Sequence, residues 1–265
     1  MRKKLYKLWD VLKESKKETK VGLQALALFV CILMAVYLGD TAIAVSSTYG
    51  DRELPIYSVD IQEKKIAISF DAAWGAEDFE KIMEILDKHK VKTTFFMTGG
   101  WVEKYPECVK KLVEKGHDLG NHSATHPDMT TLSKEAQREQ IMKVHDAVKS
   151  LTGYEMELFR PPYGAYNNDV IRTCYENGYY PIQWDVDSLD WKNYGVQNVI
   201  DTVCNHKSLD CGSIILCHLG AKYTSQALDE MLTKLQGMGY EIVPVSKLIM
   251  TEGYHMDANG MQIKD

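Results

Sequence analysis

Charged and imidazole side chains stand directly after several short apolar segments of this sequence. Asp71 follows "KKIAISF", His122 follows "HDLGN", Arg160 follows "ELF" and His218 ends "IILCH". If these segments are parallel strands, their carboxyl ends meet at one edge of a sheet, and the four side chains converge on one site. A carboxylate, a cation and imidazoles held together are groups that a hydrolase can use for proton transfer.

The segment "NHSATHP" places His122 and His126 four residues apart. On one helical turn both imidazoles would point the same way and could share a divalent cation. Pro127 disfavours helical backbone at His126, and Ser123 stands where zinc proteases carry a glutamate. The alternative is two histidines without a common ligand, and the spacing by itself leaves both open.

Two further segments carry polar groups at predicted strand ends. In "FRPPYG" a rigid Pro-Pro turn would hold the backbone N–H of Tyr163 as a donor to an oxygen that gains charge. The alternative is a structural turn covered by Arg160. In "WDVDSLDW", Asp185, Asp187 and Asp190 are candidate metal ligands or loop caps.

His218 would emerge from a buried strand at the mouth of the sheet. An ordinary imidazole pKa near 6.5 lets it hold or release a proton at ambient pH, so it is a candidate acid. Cys217 precedes it and must face the opposite side of the strand. A nucleophilic pair of the two is therefore disfavoured.

The elements that would position these groups alternate along the chain. Short β-rich runs are followed by segments with apolar residues at helical spacing. This alternation predicts an α/β fold, a distorted (β/α) barrel of about seven parallel strands, closed or nearly closed. The predicted strands cover residues 64–70, 92–99, 117–122, 157–162, 179–187, 212–218 and 241–245, and the predicted helices cover 77–89, 106–116, 133–153, 167–178, 196–207 and 225–239.

The amino-terminal segment predicts a membrane anchor. Residues 21–39 carry no charge, and as a helix they nearly span a hydrocarbon core of about 30 Å. Residues 1–20 hold eight Lys/Arg and three acids, which predicts a cytoplasmic amino terminus and an extracytoplasmic domain in a single-pass cell-membrane protein. The alternatives are a buried core helix or a signal peptide cleaved near Ala44, which would release a secreted protein. Residues 40–56 are a predicted linker, and 57–265 the predicted domain.

Charge excludes some partners. The first 20 residues are +5 and the whole chain is −6, so the remainder is −11. Nucleic acids and anionic membrane faces need a basic footprint, so neither is expected to bind the domain. The sequence has neither a P-loop nor a Gly-rich dinucleotide fingerprint, and it lacks a G-x-S-x-G elbow. No protein partner is predicted.

Five segments together carry a family resemblance. "FDAAWG", "HSATHP", "RPPYG", "DVDSLDW" and "IILCH", in this order, resemble the five motifs of polysaccharide deacetylases, carbohydrate esterase family 4. The upstream "LPIYSVD" and the form of the first motif resemble the sporulation-associated branch. The resemblance implies a distorted (β/α) barrel and metal-dependent removal of N-acetyl groups from a glycan such as peptidoglycan or a chitin-like oligomer.

By this resemblance, Asp71 matches the base that takes a proton from water, and Arg160 matches the residue that keeps this base ionised. His218 matches the acid that protonates the leaving amine, and Asp190 the residue that orients it. The substrate-binding side would be Tyr163, whose backbone amide faces the developing negative charge. The chemistry argued from the individual residues agrees with these roles.

The resemblance also assigns a cation and a pocket. His122 and His126 match metal ligands for Zn²⁺, or for Co²⁺ or Mn²⁺. Trp191 and Leu216 match the walls of the acetyl pocket. The departure is Ala72, because the usual first motif has a second Asp there as the third ligand. We therefore expect a weakly bound metal.

Substitutes for the lost ligand are Asp71 itself, Glu77, Asp78 or additional waters. Three functions stay open. The first is a membrane-anchored glycan deacetylase with an altered metal site, and the second is a glycan-binding pseudoenzyme that has lost turnover. The third is a metallohydrolase acting on another amide or ester.

Overall fold

The structure is a computed structural model that describes residues 48–265. Thirteen strands and eight α-helices are found in this range. The strands are β1 (Thr48–Tyr49), β2 (Arg52–Glu53), β3 (Ser58–Val59), β4 (Lys65–Ala72), β5 (Thr94–Met97), β6 (Asp118–Asn121), β7 (Leu158–Phe159), β8 (Tyr180–Pro181), β9 (Val186–Asp187), β10 (Ile214–His218), β11 (Glu241–Val243), β12 (Tyr254–Met256) and β13 (Met261–Lys264). The helices are α1 (Phe79–His89), α2 (Gly99–Lys104), α3 (Pro106–Glu114), α4 (Lys134–Thr152), α5 (Asn168–Glu176), α6 (Val196–Cys204), α7 (Thr224–Gly237) and α8 (Val245–Leu248).

The main sheet confirms the predicted α/β class. Its strands follow the order β8-β7-β6-β5-β4-β10-β9, and every pair along this path is parallel. An eighth strand, β11, pairs in parallel with the amino-terminal half of β4. The edge strands β8 and β9 are joined by residues 182–185, so the sheet is a curled half-barrel whose carboxyl strand ends share one rim.

Alternation along β4 separates two apolar cores. Ile66, Ile68 and Phe70 belong to the cluster between the sheet and the helices. Ala67, on the other face, belongs to a second cluster inside the curl, with Phe96 among its members. Successive side chains of a strand point to opposite faces, so Ser69 and Asp71 share the inner face with Ala67. The polar end of β4 is thereby directed to the inside of the rim.

Helix ends follow local capping chemistry. Ser133 accepts a hydrogen bond from the backbone of Ala136 at the start of α4, and Gly153 ends that helix in the left-handed conformation. Each of the six predicted helices has a counterpart. The short α2 is an addition, which begins where the Thr98 side chain accepts the Trp101 N–H.

The predicted strand 179–187 is wrong, because this segment forms two strands at opposite edges of the sheet. β8 pairs with β7, whereas β9 pairs with β10. Between them, the Gln183 N–H bonds the carbonyl of Ile56, and the Asp185 N–H bonds the carbonyl of Ile214. The chain thus crosses from one edge to the other with its backbone groups satisfied by two different partners.

Short elements flank the main sheet at both ends of the described chain. Residues 48–53 form the β1–β2 hairpin, and Leu54 and Ile56 are buried although they fall within the predicted linker. Near the carboxyl terminus, β12 and β13 pair antiparallel, and β13 pairs with β3. These contacts tie residues on both sides of the sheet to one domain.

Within residues 48–265, no helix combines the length and apolar character that crossing a membrane requires. The predicted cytoplasmic segment 1–20 and the membrane segment 21–39 lie outside the described residues. The first part of the predicted linker, residues 40–47, lies outside them as well.

Candidate active site

A cavity of about 570 Å³ opens at the carboxyl rim of the sheet. Seven of the nine residues to which the resemblance assigns a role line it, and the other two, Arg160 and Asp190, are fully buried and contact Asp71 and His218. The structure thus brings the whole predicted set together. The lining residues are Asp71, Ala73, Trp74, His122, His126, Tyr163, Gly164, Trp184, Asp187, Trp191, Leu216 and His218.

Asp71 and Arg160 form a buried ion pair at the base of the cavity. Arg160 Nη1 donates to Asp71 Oδ1 at 2.7 Å, and Nη2 donates to Ser69 Oγ at 2.8 Å. The guanidinium also stacks over the ring of Phe96, with 4.0 Å from Cζ to the ring centroid. Burial opposes ionisation of Asp71, but the surrounding positive groups, with Arg160 the largest of them, and the Arg160 hydrogen bond together outweigh it and hold the pKa of this carboxyl below its usual value. Asp71 is therefore a carboxylate able to accept a proton.

His122 is held in one tautomer by the backbone. Its Nδ1 lies 2.7 Å from the carbonyl oxygen of Arg160. A carbonyl only accepts, so Nδ1 carries the proton, and in the neutral ring the lone pair of Nε2 faces the cavity. Burial lowers the pKa of His122 to about 4, which keeps the ring neutral. The Nε2 atom lies 3.5 Å from Asp71 Oδ2.

His126 reaches the same point from an irregular loop. The segment 122–127 makes no helical turn, because Ser123 and His126 have φ of 68° and 57°. Pro127 disfavours helical backbone at the preceding residue, and the His126 N–H is satisfied by Ser123 Oγ at 3.1 Å. Left-handed backbone at non-glycine residues is strained and persists where the surroundings enforce it.

The two imidazoles suit a shared cation. Their Nε2 atoms are 3.2 Å apart, and two nitrogens bound to one tetrahedral first-row cation are about 3.3 Å apart. Burial lowers the pKa of His126 as well, which favours the neutral, ligating form. Among residues 48–265, however, no group of three or more His, Cys, Asp and Glu is arranged as a metal site. The donor set fits a cation with two imidazole ligands and falls short of a three-residue site.

The position of the expected third ligand faces away from the cavity. Ala72 is completely buried, and it belongs to the cluster between the sheet and the helices that includes Phe70 and Met97. Its neighbours Asp71 and Ala73 line the cavity, whereas Ala72 does not. A side chain at position 72 on this backbone points into apolar surroundings.

The candidate substitutes at the start of α1 do not fill the gap. Glu77 and Asp78 are both outside the cavity lining. The Oδ1 atom of Asp78 accepts the backbone N–H of Gly220 at 2.9 Å. Among the residues that line the cavity, Asp71 has the carboxylate nearest to the two imidazoles, with its Oδ2 atom 3.5 Å from His122 Nε2.

His218 is held from two sides by Asp190. The carboxylate lies 2.7 Å from Nδ1 through Oδ1, and Oδ2 accepts the His218 backbone N–H at 2.7 Å. Thr224 Oγ1 donates to the same Oδ2 at 2.6 Å. Burial would lower the pKa of His218, but the hydrogen bond and charge of Asp190 outweigh it and raise the pKa above its usual value. His218 is therefore an imidazolium over a wider pH range than a free histidine.

The other two aspartates of "WDVDSLDW" are loop caps. Asp187 Oδ1 accepts the Leu189 N–H at 2.8 Å, and Asp185 accepts the Ile214 N–H at 2.8 Å. Asp185 also accepts from Ser213 Oγ, at the opposite end of β10 from His218. Asp185 and Asp187 were predicted as either metal ligands or loop caps, and the structure favours loop caps.

Trp74 is the main residue that the sequence did not indicate. Its ring stacks on His218 with centroids 5.1 Å apart and an interplanar angle of 13°. The sequence did not indicate Thr224 either. The contacts of Trp74 with His218 and of Thr224 with Asp190 join residues far apart in sequence, so no local pattern points to them. On the other side of the cavity, Tyr163 packs edge-on against His126 with centroids 4.5 Å apart.

Comparison with known proteins places this geometry in a family. Residues 58–182 match the family model described as polysaccharide deacetylase. The peptidoglycan-N-acetylmuramic acid deacetylase PdaA of Bacillus subtilis is 32% identical over 197 residues, which cover 73% of this chain and 74% of PdaA. The chain belongs to the polysaccharide deacetylase family. The family assignment predicted from the five motifs is thereby confirmed.

Other members of the family differ in length and in activity. The peptidoglycan-N-acetylglucosamine deacetylase PgdA of Listeria monocytogenes is 37% identical over 215 residues, and the match covers 80% of this chain but 45% of PgdA. The structure of BA3943 from Bacillus anthracis, described as a CE4 family pseudoenzyme, matches with a TM-score of 0.71 and 32% identity, covering 81% of this chain and 72% of that one. A BA3943 mutant described as having restored enzymatic activity matches with the same TM-score and 33% identity, covering 81% of this chain and 74% of the mutant.

Proposed function

We propose that this domain removes N-acetyl groups from a glycan such as peptidoglycan or a chitin-like oligomer. The observation that carries the proposal is the pairing of an ionised Asp71 with a readily protonated His218 on the walls of one cavity. Amide hydrolysis needs a base for the water and an acid for the leaving nitrogen, and two environments that separate the two pKa values provide both.

In this reaction Asp71 accepts a proton from the attacking water, and Arg160 keeps the carboxylate ionised. The C–N bond of the acetamide then breaks, and His218 gives its proton to the amine nitrogen. Asp190 holds the imidazolium in place for that step through the 2.7 Å contact with Nδ1. The products are acetate and a sugar with a free amine.

The remaining groups of the cavity bind and polarise the substrate. Leu216 and Trp191 would enclose the acetyl methyl group, and the backbone N–H of Tyr163 would donate to the carbonyl oxygen as it gains charge. His122 and His126 would hold Zn²⁺, Co²⁺ or Mn²⁺, and such a cation, when bound, polarises the amide carbonyl.

The proposed location follows from the amino-terminal sequence. A basic segment before an uncharged run of 19 residues supports a single-pass protein whose domain faces the outside of the cell membrane. Two of the bacterial relatives, PgdA and PdaA, carry names that refer to peptidoglycan, which lies on that side of the membrane. A role in sporulation is proposed from the form of the first motif.

The test is release of acetate from peptidoglycan and acetylated chitooligomers by the full chain in mild detergent. It is run with chelator and with added Zn²⁺, Co²⁺ or Mn²⁺. Asp71→Asn keeps the shape of the side chain but removes the base, and it is the control for contaminating activity. Acetate release by the unchanged chain and not by this variant supports the proposal. No release under any metal overturns it.

A second candidate, a glycan-binding pseudoenzyme, is favoured by Ala72. Without a third protein ligand the cation site is weak, and BA3943 shows that a related chain of this fold is described as a pseudoenzyme. This candidate expects saturable glycan binding that chelator does not change, with no acetate released. Binding that chelator abolishes, or any turnover lost in Asp71→Asn, decides against it.

Ala72→Asp examines the metal site directly. Because Ala72 is fully buried in an apolar cluster, a carboxylate there is expected to cost about 2–4 kcal/mol of unfolding free energy in chelator. If the backbone can turn the new carboxylate toward His122 and His126, Zn²⁺ at 100 times its dissociation constant would return about 2.7 kcal/mol. Thermal melts and metal analysis measure both effects. Ala72→Asp combined with His126→Ala is the matched control, and an equal response to Zn²⁺ in both variants contradicts the prediction.

A further inference from the structure

Gln183 lies on the segment that crosses from one edge of the sheet to the other, and it belongs to none of the five motifs. It is only 2% exposed, and its chain neighbours Ile182 and Trp184 pack in the apolar cluster inside the curl. Its backbone N–H donates to the carbonyl of Ile56 at 2.7 Å. A buried polar side chain destabilises a fold unless it is hydrogen-bonded, so the partners of this carboxamide indicate its role.

The carboxamide of Gln183 binds the turn at residues 161–165. Its Nε2 donates to the carbonyl oxygen of Gly164 at 3.0 Å. A carbonyl only accepts, so the nitrogen of the amide faces it and the amide oxygen does not. Gly164 fits closely at this point, since a Cβ on it would lie 3.1 Å from Trp184 Cη2. The turn is therefore held both by a hydrogen bond and by packing against the crossing segment.

The backbone of this turn is strained and needs such support. Tyr163 has φ of 60° and ψ of 7°, a left-handed conformation that is disfavoured for a residue with a side chain. Two hydrogen bonds within the turn use the N–H groups of Gly164 and Ala165. Among residues 48–265 no acceptor is found for the N–H of Tyr163, which borders the cavity. Strained backbone persists where its surroundings enforce it, and the Gln183 amide enforces this turn from outside.

The main chain of Gln183 contacts the cation that supports the base. Arg160 Nη2 donates to the Gln183 carbonyl oxygen at 3.2 Å, while its Nη1 donates to Asp71. Amide hydrolysis requires the base and the donor to the oxyanion at fixed positions around one acetamide, and an error of 1 Å can cost about 10²-fold in rate. Gln183 is bonded to the supports of both groups, through its carbonyl on one side and its carboxamide on the other.

We infer that Gln183 is a positioning residue whose carboxamide, bonded to the Gly164 carbonyl, fixes the turn so that the backbone N–H of Tyr163 faces the oxygen that gains charge. The inference rests on the proposed function, because that oxygen belongs to the acetamide undergoing hydrolysis. It adds to that function a residue that touches neither substrate nor cation and acts through the turn.

Gln183→Met tests the carboxamide by itself, because it removes the donor to Gly164 and leaves the main-chain carbonyl that Arg160 contacts. With the full chain in mild detergent and acetylated chitooligomers as substrate, kcat should fall about 10- to 100-fold. KM should change by less than about twofold, because the Tyr163 N–H bonds the oxygen more strongly in the transition state than in the bound substrate.

The order of the turn is measured without turnover. ¹⁵N relaxation of the full chain reports the order parameters of the Gly164 and Ala165 amides, which should be about 0.85 in the unchanged chain, as in rigid backbone. Gln183→Met should lower them to about 0.6, because the turn loses its hydrogen bond to the crossing segment.

Gln262→Met is the matched control. Gln262 on β13 is fully buried, its Nε2 donates to the carbonyl of Met250 at 2.7 Å, and it lies outside the cavity lining. This variant also loses a buried carboxamide, but it should keep kcat and the order parameters of the turn. Unchanged kcat or order parameters in Gln183→Met, or an equal loss of kcat in both variants, overturns the inference. If Gln183→Met does not fold, Gln183→Asn carries the same expectation, because its amide is one methylene too short to reach Gly164.

Failure of the proposed activity is separable from failure of this inference. Relaxation requires no acetate release, so a turn that loosens in Gln183→Met, in a chain that never releases acetate, supports the positioning of the turn and rejects the deacetylase. Acetate release that is equally fast in the unchanged chain and in Gln183→Met supports the deacetylase and rejects the positioning role.

Discussion

Arg160→Met isolates the ion pair beneath the candidate active site. Arg160 is fully buried, and Asp71 is 6% exposed. The guanidinium donates to Asp71, to Ser69 and to the carbonyl oxygen of Gln183. Methionine keeps most of the length and apolar volume but none of the donors or charge. The carboxylate of Asp71 is then left buried without its main partner.

The expected cost is large because the remaining charge cannot reach water. Removing one partner of a buried pair typically costs about 3–5 kcal/mol. For a domain of this size each 1 kcal/mol lowers the melting temperature by roughly 2–4 °C, so a decrease of about 10 °C is expected. Asp71→Asn in the same chain removes the stranded charge. The double variant should therefore be more stable than the sum of the two single losses predicts, by about 1–3 kcal/mol.

Urea unfolding followed by circular dichroism measures this cycle at pH 7. Arg172→Met is the matched control, since Arg172 is 50% exposed and its Nε contacts Glu53 at 2.6 Å on the surface. It should cost less than about 1 kcal/mol. If Arg160→Met costs no more than Arg172→Met, or if the losses at Arg160 and Asp71 simply add, the charge of Arg160 does not stabilise the buried carboxylate of Asp71.

Two other predictions concern pH and backbone space. Burial opposes protonation of His218, but Asp190 outweighs it and raises the pKa of the imidazole. The contribution of this pair to the stability of the fold is therefore full below pH 6.5 and is lost as pH rises through the raised pKa. Asp190→Asn should move the titration of His218, followed by NMR, to lower pH. An unchanged titration in that variant contradicts the assignment. Gly212→Ala should destabilise the fold by about 1–3 kcal/mol more than Gly178→Ala. Both glycines have positive φ, but a Cβ at 212 would lie 1.7 Å from the carbonyl oxygen of Val59, whereas the space at 178 is open. Equal urea midpoints for the two glycine variants would refute the steric argument.

Local sequence patterns were sufficient for most elements of the domain. The apolar period of the helices and the β-rich runs between them predicted the alternation and the parallel sheet, because those signals depend on neighbours within a few residues. The predicted strand 64–70 corresponds to β4, and the predicted helix 133–153 to α4 with its Ser133 cap. The single strand predicted at 179–187 failed because β-rich composition does not specify which strand each half pairs with.

The candidate site divides in the same way. Polar residues after apolar strands indicated where Asp71, His122 and His218 would lie, since parallel strands carry their ends to one rim. The side of the strand on which position 72 falls was not evident from the motif. The predicted strand ended at residue 70, whereas β4 continues to Ala72, so the alternation of side chains includes position 72 and directs it away from the face of Asp71.

The sequence by itself determined the class of fold, the order of its elements and the residue types available for chemistry. These follow from propensity and periodicity, which are properties of short segments. The tertiary structure alone decided the stacking of Trp74 on His218 and the hydrogen bond from the hydroxyl of Thr224 to Asp190. Each of these joins residues more than 30 positions apart, and such contacts exist only after the sheet has brought its strand ends together.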